Sequence, residues 1–282
     1  MGEIRKIMVV GAGQMGTGIT QVFAQAGHEM VLVDLNEQIL EKSIGNISSM
    51  LERSVKKERI TAEQKAATLA RITPTLSLED GQEVDFVLEA VTEDTEIKKD
   101  VFRRLDSICQ PNAILASNTS TISITLLGGV TERPDKVIGM HFFIPAPVMK
   151  LVEIIKGLNT SNETFEQTQK LSGICGKESV EAKDYAAFTV NRLLVPMWNE
   201  AMFLVMEGNK PEEVDKAMRL GANFPMGPLE LADFAGLDTV LSVIETMHES
   251  FGESKYRPCP LLKKMVEAGQ YGRKSGQGFY KY

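Results

Sequence analysis

Two sets of residues in this sequence are of types and spacings that can do chemistry. The first is Gly11-Ala12-Gly13-Gln14-Met15-Gly16. A G-x-G-x-x-G turn that opens a helix offers backbone N–H groups and a partial positive charge to a diphosphate. Gly11 allows the tight turn, Gly13 lets the backbone approach the phosphates, and Gly16 lets the helix pack closely on a strand, with Gln14 and Met15 carried on the same turn. Asp34 follows at the distance, about 20 residues, at which an acid meets a ribose. Its carboxylate can accept from both hydroxyls and would repel a 2′-phosphate, so the expected cofactor is NAD rather than NADP. The second set would serve a nicotinamide reaction. Oxidising a secondary alcohol sends a hydride to the ring and a proton to a base, and a base that titrates near neutrality is first of all a histidine.

The sequence has three histidines. His28 lies in a turn before a strand, and His248 sits late in a helix between Glu245 and Glu249. His141 ends an apolar strand, at the edge where ligands of open α/β sheets bind. It is the preferred base. Glu153 is a carboxylate inside the apolar run Leu151-Val152-Glu153-Ile154-Ile155, and a buried carboxylate needs a partner, which a histidine would supply. A helix lysine is an alternative base, yet no lysine occurs between Asn191 and Glu207 on the long helix that would offer it.

These residues need elements to hold them. Ile7-Met8-Val9-Val10 and Met30-Val31-Leu32-Val33 read as buried strands on either side of a helix with Ile19, Val22 and Phe23 on one face. The next convincing strand is Val84-Asp85-Phe86-Val87-Leu88. The long interval before it reads as two helices, the second starting at Thr61 with Gln64 three residues on. Between the two helices, Arg53, Lys56 and Lys57 form either a grip for substrate phosphates or a solvated helix end, the latter being the simpler reading of a charge run. After residue 88, Glu89-Ala90-Val91-Thr92-Glu93 leads into a charged helix carrying Lys98. Ala90, Glu93 and Lys98 are thereby placed at the cofactor crevice, although Glu93 and Lys98 could equally be surface charge. A strand at 113–116 ends in Ser117-Asn118-Thr119-Ser120-Thr121, either a ligand loop or a turn in which one residue caps the next helix. Strands at 137–140, 151–155 and 179–182 and a helix at 164–173 complete this part.

From about residue 186 the strand pattern stops. A helix apolar on most sides, containing Pro196, is followed by helices at 211–220, 228–235, 238–250 and 260–268. Asn191 near the start of the first is read as a structural amide or as a polar contact to a ligand. The expected fold is α/β: an N-terminal Rossmann-type doubly wound sheet with a helical hairpin insertion (1–186), then an all-α substrate and dimerisation domain (187–282).

Composition narrows the functions. A net charge of −7 argues against nucleic acid as the main partner. Three scattered cysteines suit a reducing compartment and offer no metal spacing. No apolar stretch approaches a membrane span, and Met1-Gly2-Glu3 runs almost directly into the first strand, so a cytoplasmic protein without leader or membrane contact is expected.

Taken together, the motifs resemble the 3-hydroxyacyl-CoA dehydrogenases over essentially the whole chain. They are Gly-Ala-Gly-Gln-Met-Gly, Ser117-Asn118-Thr119-Ser120, His141-Phe142-Phe143-Ile144-Pro145-Ala146-Pro147, Phe188-Thr189-Val190-Asn191-Arg192, Gly227-Pro228-Leu229-Glu230-Leu231-Ala232-Asp233 and Gly272-Arg273-Lys274-Ser275-Gly276-Gln277-Gly278-Phe279-Tyr280. The resemblance is greatest to short bacterial members acting on 3-hydroxybutyryl-CoA. It implies His141 as general base, Glu153 as the group that holds its imidazole, and Ser120 and Asn191 on the substrate oxygen. It further implies Asn118, Glu93 and Lys98 at the cofactor and Arg53, Lys56 and Lys57 at coenzyme A. The apolar first helix of the C-terminal domain separately suggests a homodimer, because a small helical domain has few other ways to bury it. The usual family motif has Asn where this chain has Ile144. The competing readings are a dehydrogenase of free hydroxy or sugar acids and a non-catalytic NAD-binding module.

Overall fold

The computed structural model describes residues 4–282; the first three, on which the expectation of a leaderless start partly rests, lie outside the described residues. The chain forms two compact units that divide between Asp184 and Tyr185.

The first unit is built on a sheet of eight strands. β1 (Lys6–Val10), β2 (Glu29–Val33), β4 (Phe86–Glu89), β5 (Ile114–Ser117) and β6 (Val137–Phe142) are short and nearly all buried, as strands covered by helices on both faces must be. β3 (Ile72–Thr75), β7 (Leu151–Lys156) and β8 (Glu178–Lys183) complete the order β3-β2-β1-β4-β5-β6-β7-β8. All neighbours run parallel except β6 and β7. The chain leaves β1 in one direction and returns to its other side with β4, so the crevice over β1 and β4 is a topological switch point, where such sheets bind ligands.

α1 (Gln14–Gln25) links β1 to β2. α2 (Glu37–Lys56) and α3 (Ala62–Ala70) form the helical pair expected after Asp34. Asn36 caps α2, and Thr61 and Gln64 form the reciprocal capping box at α3. Lys65 reaches Glu52 at 2.7 Å and ties the two helices together. The pair returns through β3, a strand absent from the sequence reading. Only Ile72 of its four residues is buried, and Pro74 lies within it, which an edge strand tolerates because one side of its ladder is unused. α4 (Thr95–Ile108) precedes β5, α5 (Ile124–Gly128) precedes β6, and α6 (Asn162–Ile174) precedes β8. The cap of α5 is Ser123 rather than one of the five polar residues before it, and Asp184 supports it by accepting from the Ile124 and Thr125 N–H groups.

The second unit is helical: α7 (Val190–Met206), α8 (Pro211–Gly221), α9 (Pro228–Ala235), α10 (Leu237–Phe251) and α11 (Pro260–Glu267). Proline opens α8, α9 and α11, at the position where its missing N–H has no helical partner to lose. Val195, Trp198, Met202, Leu229, Leu237, Ile244 and Leu262 belong to one core. Asn199 is buried there as a bridge, donating to the Arg257 carbonyl and accepting from Cys259 N–H. Asp215 accepts from Leu229 and Glu230 N–H and from the Tyr280 hydroxyl, while Asp233 accepts from Phe279 and Tyr280 N–H and from the Tyr282 hydroxyl. Two aspartates thus strap the C-terminal tail to α9. A Cβ on Gly278 would lie 2.1 Å from an Asp233 carboxylate oxygen, which is why that tail position has no side chain.

Candidate active site

The glycine turn has the shape its spacing demands. Gly11 has φ +102°, and a Cβ there would strike the Ala90 carbonyl at 2.6 Å. At Gly16 a Cβ would lie 1.7 Å from the Gly11 oxygen, so the start of α1 sits directly against the turn. At Gly13 a Cβ would meet nothing within 4 Å, because that residue borders open space beside Gln14 and Met15. No side chain caps α1. Its first N–H groups and its dipole are therefore directed at that space, which fits an anionic diphosphate. Asp34, at the end of β2, accepts from Ala12 N–H at 2.8 Å and from Asn36 N–H at 3.3 Å. Its carboxylate is thereby held beside the turn. The residues present fit a dinucleotide.

His141 and Glu153 are register partners on the antiparallel pair β6 and β7, so both side chains leave the same face of the sheet. Nδ1 of His141 lies 2.8 Å from the Glu153 carboxylate, with the acid 0% and the imidazole 8% exposed. A carboxylate only accepts, so Nδ1 carries the hydrogen. The Phe143 ring packs on the imidazole with centroids 4.7 Å apart. Of the other histidines, His28 is buried against Phe23 before β2, and His248 is exposed in the last turn of α10. Neither is at the carboxyl end of a strand.

β5 pairs with β6 through Ser117 and Gly139, and the polar turn follows directly. Asn118 accepts from Phe142 N–H at 2.9 Å and so joins this turn to the residue after His141. The Glu93 carboxylate gathers the rest, accepting from Ser120 N–H at 2.9 Å, from Thr121 N–H at 3.1 Å and from the Thr119 hydroxyl. The Ser120 hydroxyl is 3.4 Å from the same oxygen. Burial opposes ionisation of Glu93, but the Lys98 ammonium and these hydrogen bonds outweigh it and hold its carboxyl below the usual range. Lys98 is itself buried, 2.6 Å from Glu89 and 3.4 Å from Glu93. Ala90 abuts Gly11 between these groups.

A cleft of about 500 Å³ joins Ala12, Gly13, Gln14 and Met15 to the face of α2 that carries Lys42, Asn46 and Arg53, and to residues 144–147. Arg53 lines it; Lys56 and Lys57 are exposed at the end of α2 and do not. Asn191 lies in the first turn of α7, half-buried, in the helical unit. Among the described residues no group of His, Cys, Asp and Glu could hold a metal, and no helix is long and apolar enough to cross a membrane.

Residues 6–185 match the 3-hydroxyacyl-CoA dehydrogenase NAD binding domain, and residues 188–282 match the 3-hydroxyacyl-CoA dehydrogenase C-terminal domain. The chain belongs to the 3-hydroxyacyl-CoA dehydrogenase family. Among its relatives, the probable 3-hydroxybutyryl-CoA dehydrogenase of Bacillus subtilis is 50% identical, over 99% of this chain and 98% of the relative. The human mitochondrial hydroxyacyl-coenzyme A dehydrogenase is 43% identical, over 99% and 91%. The crystal structure of (S)-3-hydroxybutyryl-CoA dehydrogenase from Ralstonia eutropha superposes with a TM-score of 0.96 at 47% identity, covering 99% of each chain.

Ile144, where the family's usual motif has Asn, is 45% exposed and forms part of the cleft wall. The structure also brings forward residues that sequence reasoning passed over. Glu89 is a carboxylate closing an apolar strand, the same signal that singled out Glu153, and it was readable on that ground. Lys42 and Asn46 share a face of α2 with Arg53, yet nothing in their spacing distinguishes them from an ordinary solvated helix surface.

Proposed function

We propose that this chain is an NAD-dependent dehydrogenase that interconverts acetoacetyl-CoA and (S)-3-hydroxybutyryl-CoA. NAD supplies the hydride acceptor when bound. His141 takes the hydroxyl proton on Nε2, the ring nitrogen that does not face Glu153. Glu153 accepts from Nδ1–H, which keeps the ring in that tautomer and steadies the imidazolium once the proton has moved. Ser120 and Asn191 donate hydrogen bonds to the substrate oxygen where negative charge builds, a role worth about 3 kcal/mol per donor in comparable sites. The glycine turn, Asp34, Ala90, Glu93, Lys98 and Asn118 serve the cofactor. The charge fixed at Asp34 favours NAD over NADP. Arg53, Lys56 and Lys57 meet the phosphates of coenzyme A; Lys42 and Arg53 on the cleft wall support a coenzyme A ester over free hydroxy acids, while Lys56 and Lys57 stand outside that wall at the end of α2.

The observation that carries this reading is the buried His141–Glu153 pair, one strand away from the turn that holds Ser120. The reaction belongs to the four-carbon stage of butyrate or fatty-acid metabolism in the cytoplasm. The exposed Leu193, Leu204 and Met206 of α7, together 72%, 39% and 49% accessible, support a homodimer formed through the helical unit. The test is reduction of acetoacetyl-CoA by NADH. His141→Ala is expected to lower kcat/KM by about 10²–10⁴-fold while NADH still binds. Undiminished turnover in that variant refutes the assignment of the base, and absence of turnover in the parent protein refutes the reaction.

A further inference from the structure

Glu89 ends β4 with 0% exposure, and Lys98 on α4 has 1%. Burying such a pair is costly, and apolar side chains of similar shape often serve stability as well or better. Here both groups are fully engaged. Glu89 accepts from the Lys98 ammonium at 2.6 Å, from Val91 N–H at 2.7 Å and from the Ser117 hydroxyl at 2.6 Å. Its side chain is turned wholly inward, so Glu89 cannot touch a ligand. Glu93 differs: 35% of its side chain is exposed, and it holds the turn carrying Ser120. Lys98 lies closer to Glu89 than to Glu93, at 2.6 against 3.4 Å. One ammonium between two carboxylates leaves the group with one net negative charge.

The location of that charge follows from the sheet. β2, which leads to Asp34, and β4, which leads to Glu93, flank β1 on opposite sides. Such sheets bind ligands in the crevice at the carboxyl ends of the strands, so a dinucleotide held at Asp34 on one side of the switch point would have its other half on the side of Glu93. The nicotinamide ring is positively charged when oxidised and neutral when reduced.

We infer that Glu89 is a positioning residue that biases the site toward the oxidised nucleotide: by balancing the Lys98 ammonium, it leaves the negative charge of Glu93 uncompensated beside the Ser120 turn. This inference rests on the reading of NAD as cofactor. With Glu89 neutral, Lys98 turns to Glu93 alone, the net charge of the group falls to zero, and the preference for the charged ring weakens.

The test compares dissociation constants for NAD⁺ and NADH, measured calorimetrically on the whole protein without acyl-CoA. Glu89→Gln keeps the shape: its carbonyl can accept from Val91 and Lys98, and its amide can donate to Ser117. NAD⁺ binding is expected to weaken relative to NADH by about 3- to 10-fold at low salt, with a smaller shift at high salt. Glu89→Asp restores the charge and should return the ratio toward its original value. Ser117→Ala removes two hydrogen bonds, one given to Glu89 and one accepted from Thr119 N–H, without removing charge, and should leave the ratio unchanged. A folded Glu89→Gln protein with the parent ratio overturns the inference. If that variant does not fold, Glu89→Gln with Lys98→Met removes one charge of each sign from the same place. The parent ratio is then expected, and a shift toward tighter NAD⁺ shows that Lys98 acts without Glu89 and overturns the inference. A parent protein that binds neither nucleotide overturns the cofactor reading instead.

Discussion

Each unit of the molecule uses a pair of acidic side chains to hold a turn, and the two pairs are solvated by different groups. Glu89 and Glu93 flank the Lys98 ammonium, and backbone N–H groups and hydroxyls complete their coordination. Asp215 and Asp233 make no ion pair among the described residues and rely on four backbone N–H groups and the hydroxyls of Tyr280 and Tyr282. Their ionisation differs accordingly. Glu93 is held below its usual range although burial opposes this. Asp233 is raised, because burial and the neighbouring Asp215 outweigh what its hydrogen bonds recover. The Tyr280 hydroxyl is pushed up by burial and by donating to Asp215. A lysine helps to keep Glu93 charged beside the turn that carries Ser120. A cage of N–H groups is enough where the task is to fasten a tail.

The largest effect should come from removing the cation. Lys98→Met leaves Glu89 buried without its counter-charge, and breaking a buried pair from one side costs about 3–5 kcal/mol. Chemical denaturation of the first unit should show that loss, and adding Glu89→Gln should recover most of it. A loss below about 1 kcal/mol in the single variant, the range of exposed ion pairs, would mean that the two clusters differ less than their burial implies.

In the helical unit no single partner carries so much. Asp233→Ala leaves two N–H groups and a tyrosine hydroxyl of the tail without their acceptor, an effect of about 2–3 kcal/mol shared between lost bonds and new contacts with water. Asp233→Asn keeps one acceptor oxygen and should recover part of it. Denaturation followed by Trp198, in the core of that unit, reports the outcome. If alanine destabilises no more than asparagine, the clamp is not what fastens the tail.

Much of the first unit was legible before the structure was known, and the limits are physical. The glycine turn could be read because backbone sterics act locally: φ +102° at Gly11 and the contact of Gly16 with Gly11 are consequences of neighbouring residues. His141 and Glu153 stood out as polar types in apolar strands, and antiparallel register made them partners. β3 was hidden because an edge strand need not be apolar and can hold Pro74. The cap of α5 was misplaced because its support, Asp184, is about 60 positions away, and the sequence offers five nearer candidates. The hydrogen bond from Phe142 to Asn118 likewise depends on which strands become neighbours. Asp233 was visible only as the last residue of a motif and Asp215 not at all, since their partners lie at the far end of the chain.

The mildest way to set the two clusters against each other is acid. Glu93 is lowered from its ordinary 4.5, so its contribution to stability is full above that value and is lost as pH falls through the lower value of the folded state. Asp233 is raised from its ordinary 3.8, so its protonation favours the folded state; that contribution is full below 3.8 and is lost as pH rises through the raised value. Native-state hydrogen exchange separates the two, because each carboxylate accepts from identified amides. Between about pH 6 and about pH 3.5, and after correction for intrinsic exchange rates, the opening free energy at Ser120 and Thr121 should fall. At Phe279 and Tyr280 it should hold or rise over the same range. A parallel fall at all four amides would show that both carboxylates are held as Glu93 is, and the contrast between a cation-backed cluster and a hydrogen-bonded clamp would not survive.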